Sequence, residues 1–180
     1  ELKNIIEHFK EGKILSLVSD AGTPTISDPG MILVKKCIEN DIKIFPIPGP
    51  SSITASMSIS GFEDKFLFYG FLPKKESELI KILTILKKLD FSLIFFIPGI
   101  KINFYLYFFK KFFVNREILI AREITKIHET FYRNTVKLIK PFKENLKGEL
   151  TIVISKKYNI NNDISDEDIK KLSIKYLKKY

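Results

Sequence analysis

Short apolar runs alternate with stretches of helical periodicity in the first 65 residues of the chain. Runs of strand length that end in Gly and Pro are typical of buried strands, and apolar residues three to four apart are typical of helices. Each strand-like run is followed by a loop and a helix-like stretch, an order that favours a parallel sheet with helices on its faces. This half is predicted to form strands over 14–18 and 43–47 and helices over 2–10, 29–40 and 51–61.

The second half has the same character, with residues 62–65 as a linker between the halves. Its apolar pattern predicts strands over 66–69, 92–97, 117–121 and 149–155, and helices over 76–88, 102–113 and 135–145. Pro141 should kink or interrupt the last of these helices. The acidic run at 165–168 is expected to begin a further, basic helix. The sequence therefore predicts an α/β protein of two small lobes, 1–65 and 66–180.

Both predicted strands of the first half end in loops that could hold a ligand. In α/β sheets, ligands bind beyond the carboxyl ends of strands, where backbone groups are open to them. The candidate residues for binding a small polar ligand are Ser19, Asp20, Ala21, Gly22, Thr23 and Pro24 in the first loop, and Pro48, Gly49, Pro50 and Ser51 in the second. Alternatively, the first loop is an ordinary connection in which Asp28 caps the next helix and Asp20 forms an Asx-turn.

A dense polar cluster follows the strand predicted over 117–121. Carboxylates and amines can accept and donate protons, so the candidate catalytic residues are Glu123, Lys126 and Glu129. The alternative is a set of surface ion pairs of little consequence. His128 lies among them, and we expect a half-buried strand or hinge residue there rather than an acid or base.

Five ordered blocks resemble the tetrapyrrole-methylase superfamily, and within it the ribosomal RNA small-subunit methyltransferase I family. The first two blocks lie in the Gly- and Pro-rich loops, at 20–30 and 47–53. The other three are Tyr-Gly-Phe-Leu-Pro at 69–73, Arg-Glu-Ile-Thr-Lys-Ile-His-Glu at 122–129 and Lys-Gly-Glu-Leu at 147–150. Together the blocks extend over nearly all of residues 12–155.

The resemblance implies an enzyme that transfers methyl from S-adenosyl-L-methionine to a cytidine 2′-OH of 16S rRNA in the small ribosomal subunit. The cofactor would lie in a cleft between the lobes, against segments 19–29, 48–52, 122–129 and 147–150, with Gly148 and Glu149 among its contacts. A homodimer is also implied.

Two departures from the family pattern leave alternatives open. The family begins with a strand and a Gly-rich turn that have no counterpart here, so we expect a piece of a longer protein. Where the family has Phe-Tyr-Glu-Ser-Pro-His-Arg, residues 95–101 read Phe-Phe-Ile-Pro-Gly-Ile-Lys; Lys101 cannot reproduce bidentate guanidinium geometry. The alternatives are a methylase of a corrin-type tetrapyrrole or of a protein side chain, and a non-enzymatic RNA-binding remnant.

Composition narrows the class of protein further. Hydrophobic residues make up 45% of the chain, and the mean hydropathy is +0.03, values typical of a globular domain. The apolar runs are shorter than the roughly 20 residues of a membrane-spanning helix. One cysteine, Cys37, excludes an internal disulfide and a cysteine-based zinc site. We therefore expect a cytoplasmic protein with no metal and no membrane partner.

Charge is distributed unevenly along the chain. Residues 1–65 carry 7 lysines and 9 acidic residues, a net charge of −2, whereas residues 66–180 carry a net +11. This asymmetry predicts that the second half faces an anionic partner, with Arg122, Lys101, Lys110 and Lys111 as candidate RNA contacts. Aromatic residues between these lysines could stack on bases, but core packing is favoured for them. The alternative for the lysines themselves is a compositional bias of the genome.

Overall fold

The computed structural model describes residues 2–144 and 146–157. The part before the sheet contains three helices: α1 (Leu2–Lys10), α2 (Met31–Glu39) and α3 (Ser52–Ser58). The remainder contains five strands and two further helices: β1 (Phe66–Phe71), α4 (Glu76–Leu86), β2 (Ser92–Pro98), α5 (Ile102–Phe112), β3 (Glu117–Arg122), β4 (Thr130–Thr135) and β5 (Glu149–Ile154). A single 3-10 turn, Gly99–Lys101, joins β2 to α5. The predicted α/β class is confirmed.

The five strands form one mixed sheet in the order β1-β2-β5-β3-β4. Strands β1 and β2 are parallel, as predicted from the strand–helix–strand pattern. The other three neighbouring pairs are antiparallel, so the prediction of a parallel sheet is wrong for them. Because β5 returns between β2 and β3, strands β1, β2 and β3 all run in one direction and end at the same edge of the sheet.

Helices cover both faces of the sheet. On one face, α4 and α5 pack against alternate residues of the central strands, and the fully buried members of this core include Leu79, Leu83, Phe95, Phe109, Ile120 and Ile152. On the other face, Met57 of α3 packs against Ile94, Leu119 and Val153. The central strands are therefore buried on both sides, which explains their continuous apolar runs.

The two strands predicted in the first half are not formed. Residues 14–18 and 43–47 lie outside every strand, and within the described ranges no strand pairs with them. Ile14 is 96% exposed and Ile47 is 84% exposed. An apolar run becomes a strand only when neighbouring backbone satisfies its N–H and C=O groups, so periodicity alone gave the wrong result here.

Two other sequence predictions need correction. Over the described part of 135–145 the predicted helix is absent: residues 130–135 form β4, and Thr135 then accepts backbone hydrogen bonds from Leu138 and Ile139 in a turn. Helix α2 begins at Met31, after Gly30 with φ 130°, so Asp28 is not its cap. The helix predicted after 165–168 lies outside the described residues. The division of the chain at 65/66 stays a prediction.

Candidate active site at one edge of the sheet

The register of the sheet brings the polar segments of the second half to one edge. Pro98, the last residue of β2, is opposite Glu149, the first residue of β5. Arg122, the last residue of β3, is opposite both Leu150 and Thr130. The segments 71–73, 98–101, 122–129 and 147–150 therefore meet at this edge, which we call the site edge.

Two of these segments are in direct backbone contact. The N–H of Gly99 donates a hydrogen bond to the carbonyl of Gly148 at 2.8 Å. A Cβ added at Gly99 would overlap the carbonyl oxygen of Leu146 and lie 3.0 Å from that of Gly148. The glycine in the unusual 95–101 block is thus required by the close approach of the 146–148 segment.

The candidate catalytic residues lie in a tightly turned segment. Glu123 and Thr125 have φ of 51° and 65°, in the left-handed region that non-glycine residues seldom occupy. Such conformations cost of order 1–3 kcal/mol each and are held by surrounding contacts. Here, Glu129 Oε2 accepts a hydrogen bond from the Thr125 N–H at 2.6 Å, and Lys126 Nζ lies 3.4 Å from Glu123 Oε1. The structure thus brings all three candidates together in one polar cluster.

An unsatisfied donor accompanies this cluster. Nε of Arg122 is buried and has no hydrogen-bond partner in the described part of the chain. The carboxylate of Glu123 is only 22% exposed, whereas Lys126 is largely exposed. The site edge therefore offers a half-buried carboxylate, an exposed ammonium and an unpaired guanidinium N–H, a set that suits a ligand with both polar and charged groups.

The first candidate loop reaches the sheet through its second half. A Cβ added at Gly70 of β1 would lie 3.0 Å from Ser27 Oγ, so the loop packs against the carboxyl end of this strand. The first half of the loop is mostly exposed, including Asp20, and the Ser19 hydroxyl donates to the carbonyls of Ala21 at 3.3 Å and Gly22 at 3.4 Å. Ser19 therefore closes this turn, in place of the Asx-turn that was the alternative for Asp20.

The second candidate loop precedes α3. Residues 48–50 are exposed, and Ser51 is the N-cap without a side-chain capping bond. Glu63, just after α3, forms an ion pair with Lys156, which lies beyond the opposite end of β5. The direction of α3 thus agrees with a position of Ser51 toward the site edge. In the described structure, no hydrogen bond joins Ser51 to the 122–129 segment.

The candidate RNA contacts are spread over the second half. Lys101 is half-exposed in the 3-10 turn at the site edge, and Lys110 and Lys111 lie at the far end of α5. Lys111 Nζ lies 4.1 Å from the ring centroid of Tyr107. As expected, most aromatics of α5 and its end are core residues, with Tyr105, Phe108, Phe109 and Phe113 buried.

One titratable residue lies in a different environment from that expected. His128 is exposed in the turn before β4, not half-buried in a strand or hinge.

In the described ranges, no three metal-ligating side chains cluster closely enough to hold a metal ion. No helix described here has the length and apolar character needed to cross a membrane.

The chain is similar to known methylases over most of its length. The family described as Tetrapyrrole (Corrin/Porphyrin) Methylases matches residues 2–139. Ribosomal RNA small subunit methyltransferase I of Thermotoga maritima is 40% identical over 87% of this chain and 71% of its own length. The protein of that name from Rickettsia prowazekii is 42% identical over 88% of this chain, but only 58% of its own length is covered.

Solved structures agree at the level of the fold. The methyltransferase CobJ superposes with a TM-score of 0.65 at 19% identity, over 86% of this chain and 70% of that chain. Uroporphyrin-III C-methyl transferase from Thermus thermophilus, solved with S-adenyl homocysteine, gives a TM-score of 0.51 at 11% identity, over 84% of this chain and 70% of that chain. The family match over residues 2–139, with this fold and these relatives, shows that the chain belongs to the tetrapyrrole methylase family.

Proposed function

We propose that this protein transfers a methyl group from S-adenosyl-L-methionine to the 2′-OH of a cytidine in small-subunit ribosomal RNA. The observation that carries the proposal is the 40–42% identity to relatives named ribosomal RNA small subunit methyltransferase I. These relatives are longer than the matched region, so the activity of the whole protein is inferred from them. A cytoplasmic location and a homodimer accompany the proposal.

The residues at the site edge fit the proposed cofactor. The Arg122 guanidinium, first considered as an RNA contact, is a donor group suited to the carboxylate of the methionine moiety. Gly148 and the Glu123 carboxylate lie in direct contact beside it. Backbone groups of the exposed residues 20–23 and 48–50 remain open to the hydroxyl and amine groups of a nucleoside. When bound, the cofactor would supply an electrophilic methyl group on a sulfonium.

The chain's own residues would hold and deprotonate the acceptor. A ribose hydroxyl must be aligned with the methyl group and must lose its proton as the new O–C bond forms. Glu123 and Glu129 are candidates to accept that proton, and Lys126 could stabilise the developing alkoxide. Glu123 combines partial burial with a position at the end of β3, so it is the first residue to test.

Two measurements test the proposal separately. Isothermal titration calorimetry should show saturable binding of S-adenosyl-L-methionine or its demethylated product. In the second measurement, a tritium-labelled methyl group is transferred from the cofactor to small ribosomal subunits that lack this methyl group. Mapping of the product should place the labelled methyl group on a cytidine ribose. Cofactor binding without methyl transfer to RNA would reject the proposed substrate, while the proposed cofactor would stand. Absence of both binding and a thermal shift at millimolar cofactor would reject the proposed cofactor and the proposed substrate.

A second candidate function is methylation of a corrin-type tetrapyrrole or a protein side chain. The match to the family described as Tetrapyrrole (Corrin/Porphyrin) Methylases favours it, whereas the similarity to CobJ, at 19% identity, supports the fold alone. The net charge of +11 in residues 66–180 favours a polyanion instead. A non-enzymatic RNA-binding role, suggested by the altered 95–101 block, would give RNA binding with no methyl transfer.

A further inference from the structure

A groove runs along the outer edge of the sheet, beside strand β4. Strand β4 is an edge strand, and in the described structure only β3 pairs with it. The chain turns after β4 and returns beside it, leaving a groove of about 600 Å³ between the two segments. One wall is formed by residues 131–134 and the other by residues 138–143. We call this the β4 groove.

The second wall is fixed by a side chain that imitates backbone pairing. The Asn103 amide Nδ2 donates to the Phe142 carbonyl at 2.8 Å, and the Phe142 N–H donates to Asn103 Oδ1 at 2.9 Å. The rings of Tyr132 and Phe142, one from each wall, pack edge to face with 4.9 Å between their centroids. A preformed groove has little conformational entropy left to lose when a ligand binds.

The charge of the groove is of one sign. Residues 130–143 contain four cationic side chains and no carboxylate. Arg133 donates to the Ile59 carbonyl at 2.9 Å and lies 5.5 Å from the Phe131 ring centroid. These contacts hold its side chain on the α3 face of the sheet, where its strand partner Leu119 also packs. Two of these cations, Lys140 and Lys143, line the groove and are exposed. Such a surface complements a chain of phosphates.

Apolar and aromatic surface lies between these cations. Phe131, Tyr132 and Phe142 are half-buried, and Leu138 at the lip of the groove is 61% exposed. Cations that follow a backbone, interleaved with rings on which bases stack, are the usual features of a site for single-stranded nucleic acid. A second copy of this chain, pairing β4 with β4, would bring two such cationic surfaces together and is disfavoured.

We infer that the β4 groove binds a single-stranded segment of RNA, with phosphates on Lys140 and Lys143 and bases against Tyr132 and Phe142. The inference rests on the proposed RNA substrate and adds where the strand lies. Strand β4 begins at Thr130, directly after Glu129, so the groove starts where the candidate catalytic segment ends. A strand in the groove would therefore lead to the site edge.

The groove is separate from the lysines of α5. Asn103, which holds the groove wall, lies in the first turn of α5, and Lys110 is seven residues further along this helix. At 1.5 Å per residue, the separation along the axis is about 11 Å. Substitutions at the two places can therefore be compared as independent sites.

The test compares two pairs of charge-neutralising substitutions in the full chain. Lys140→Gln with Lys143→Gln removes two cations from the groove. Lys81→Gln with Lys88→Gln removes the same charge from exposed positions around α4. Helix α4 connects β1 to β2, and β1 is four strand spacings, about 19 Å, from β4. Net charge is thus equal in the two variants, and only the location of the loss differs.

Binding of a labelled single-stranded 12-nucleotide RNA is measured by fluorescence anisotropy over a series of salt concentrations. Each lost phosphate contact should reduce the log–log salt slope by about 0.7. The groove pair should therefore lose about 1.4 of slope and on the order of 25-fold in affinity at 0.1 M salt, while the α4 pair keeps the parent slope. Tyr132→Leu should weaken binding without changing the slope. Cofactor binding and the melting temperature serve as controls for folding.

Three outcomes would overturn the inference. Equal slopes for the two lysine pairs would show that the β4 groove is not an RNA site, while the proposed substrate survives. A change of molar mass in light scattering for the groove pair, with unchanged RNA affinity, would identify the groove as an interface between copies. Absence of RNA binding by the parent chain would reject the proposed substrate together with the groove.

Discussion

The carboxylate of Glu123 lies against the backbone of Gly148: a Cβ added at Gly148 would be 2.8 Å from Glu123 Oε1. Glu123 follows β3, and Gly148 precedes β5, so the contact joins two neighbouring loops of the site edge. Both residues have left-handed backbone, with φ of 51° and 81°. The glycine thus leaves room for the carboxylate in its observed position, and a side chain there would displace it.

Gly148→Ala should lower the rate of methyl transfer strongly, with only a small loss in the free energy of unfolding. Alanine at φ 81° costs about 1–2 kcal/mol in strain, while the contact itself is relieved by movement of the flexible Glu123 side chain. Gly12→Ala is a matched control, because Gly12 has φ 80° and nothing within 4 Å of the added Cβ. Urea unfolding should give similar losses for both variants, and only Gly148→Ala should lower turnover. Equal turnover in the two variants would show that the position of the Glu123 carboxylate does not affect methyl transfer.

Glu123→Ala and Lys126→Ala should each affect turnover far more than cofactor affinity. Interactions made mainly in the transition state lower kcat and kcat/KM together, and loss of a general base costs about 100-fold or more. The measurement pairs methyl-transfer kinetics with calorimetry of cofactor binding. Parent rates in both variants would mean that the cluster is structural and that the catalytic group lies elsewhere.

The sequence predicted the central strands of the sheet well, because they are buried on both faces and appear as continuous apolar runs. It missed the edge strand β4 and the antiparallel pairing. The strand predicted over 92–97 is found at Ser92–Pro98, and that over 117–121 at Glu117–Arg122. The same criterion was wrong for 14–18, where an equally apolar run has no neighbouring strand to pair with in the described structure. Periodicity reports which residues can be buried, but it does not report what buries them.

Residues that act through distant contacts gave no local signal. Asn103 bonds to Phe142, 39 positions away, and Gly99 faces the backbone of Leu146 and Gly148. The family blocks did point to the segments that meet at the site edge. Blocks of this kind can be recognised from the sequence alone, whereas the packing partners of a residue cannot. The β4 groove was missed because residues 135–145 were assigned to a helix, which would have removed one of its walls.

Gly99→Ala should destabilise the fold strongly. The added Cβ would overlap backbone atoms of 146–148, which cannot move aside as a side chain can. Overpacking of this kind costs about 1–3 kcal/mol and occasionally more, and the Gly99–Gly148 hydrogen bond would be lost as well. Gly49→Ala, with nothing within 4 Å of its Cβ, provides the comparison. Equal urea midpoints for the two variants would contradict the close approach.

Arg116 should be among the most sensitive positions for stability. Its buried guanidinium donates to the carbonyls of Lys87, Leu89, Phe91 and Ser155, with Leu89 the nearest at 2.8 Å. Burial lowers the pKa of Arg116, and the charge of Asp90 acts in the opposite direction. Arg116→Met leaves these carbonyls without a charged donor and should cost on the order of 3 kcal/mol.

Two substitutions serve as references for Arg116→Met. Arg116→Lys keeps the charge but cannot span four carbonyls, so its loss should be intermediate. Arg133→Met removes an exposed arginine that bonds to one carbonyl, and should cost about 0.5 kcal/mol. The free energy of unfolding in urea distinguishes the three. A loss in Arg116→Met no larger than in Arg133→Met would show that the buried bonds do not stabilise the fold.

Lys110→Gln combined with Lys111→Gln should flatten the salt dependence of RNA binding. Neutralised phosphates release counterions, so two lost contacts on a single strand reduce the log–log slope by about 1.4. Lys35→Gln with Lys36→Gln is the control, since both lie on α2 in the acidic first half and Lys36 forms an ion pair with Glu39. If both pairs change the slope equally, the positive charge of the second half reflects composition alone. If the losses of slope from the α5 pair and the β4 groove pair add when all four lysines are replaced, the RNA contacts both surfaces in one complex. Distant sites that act independently are expected to have additive effects.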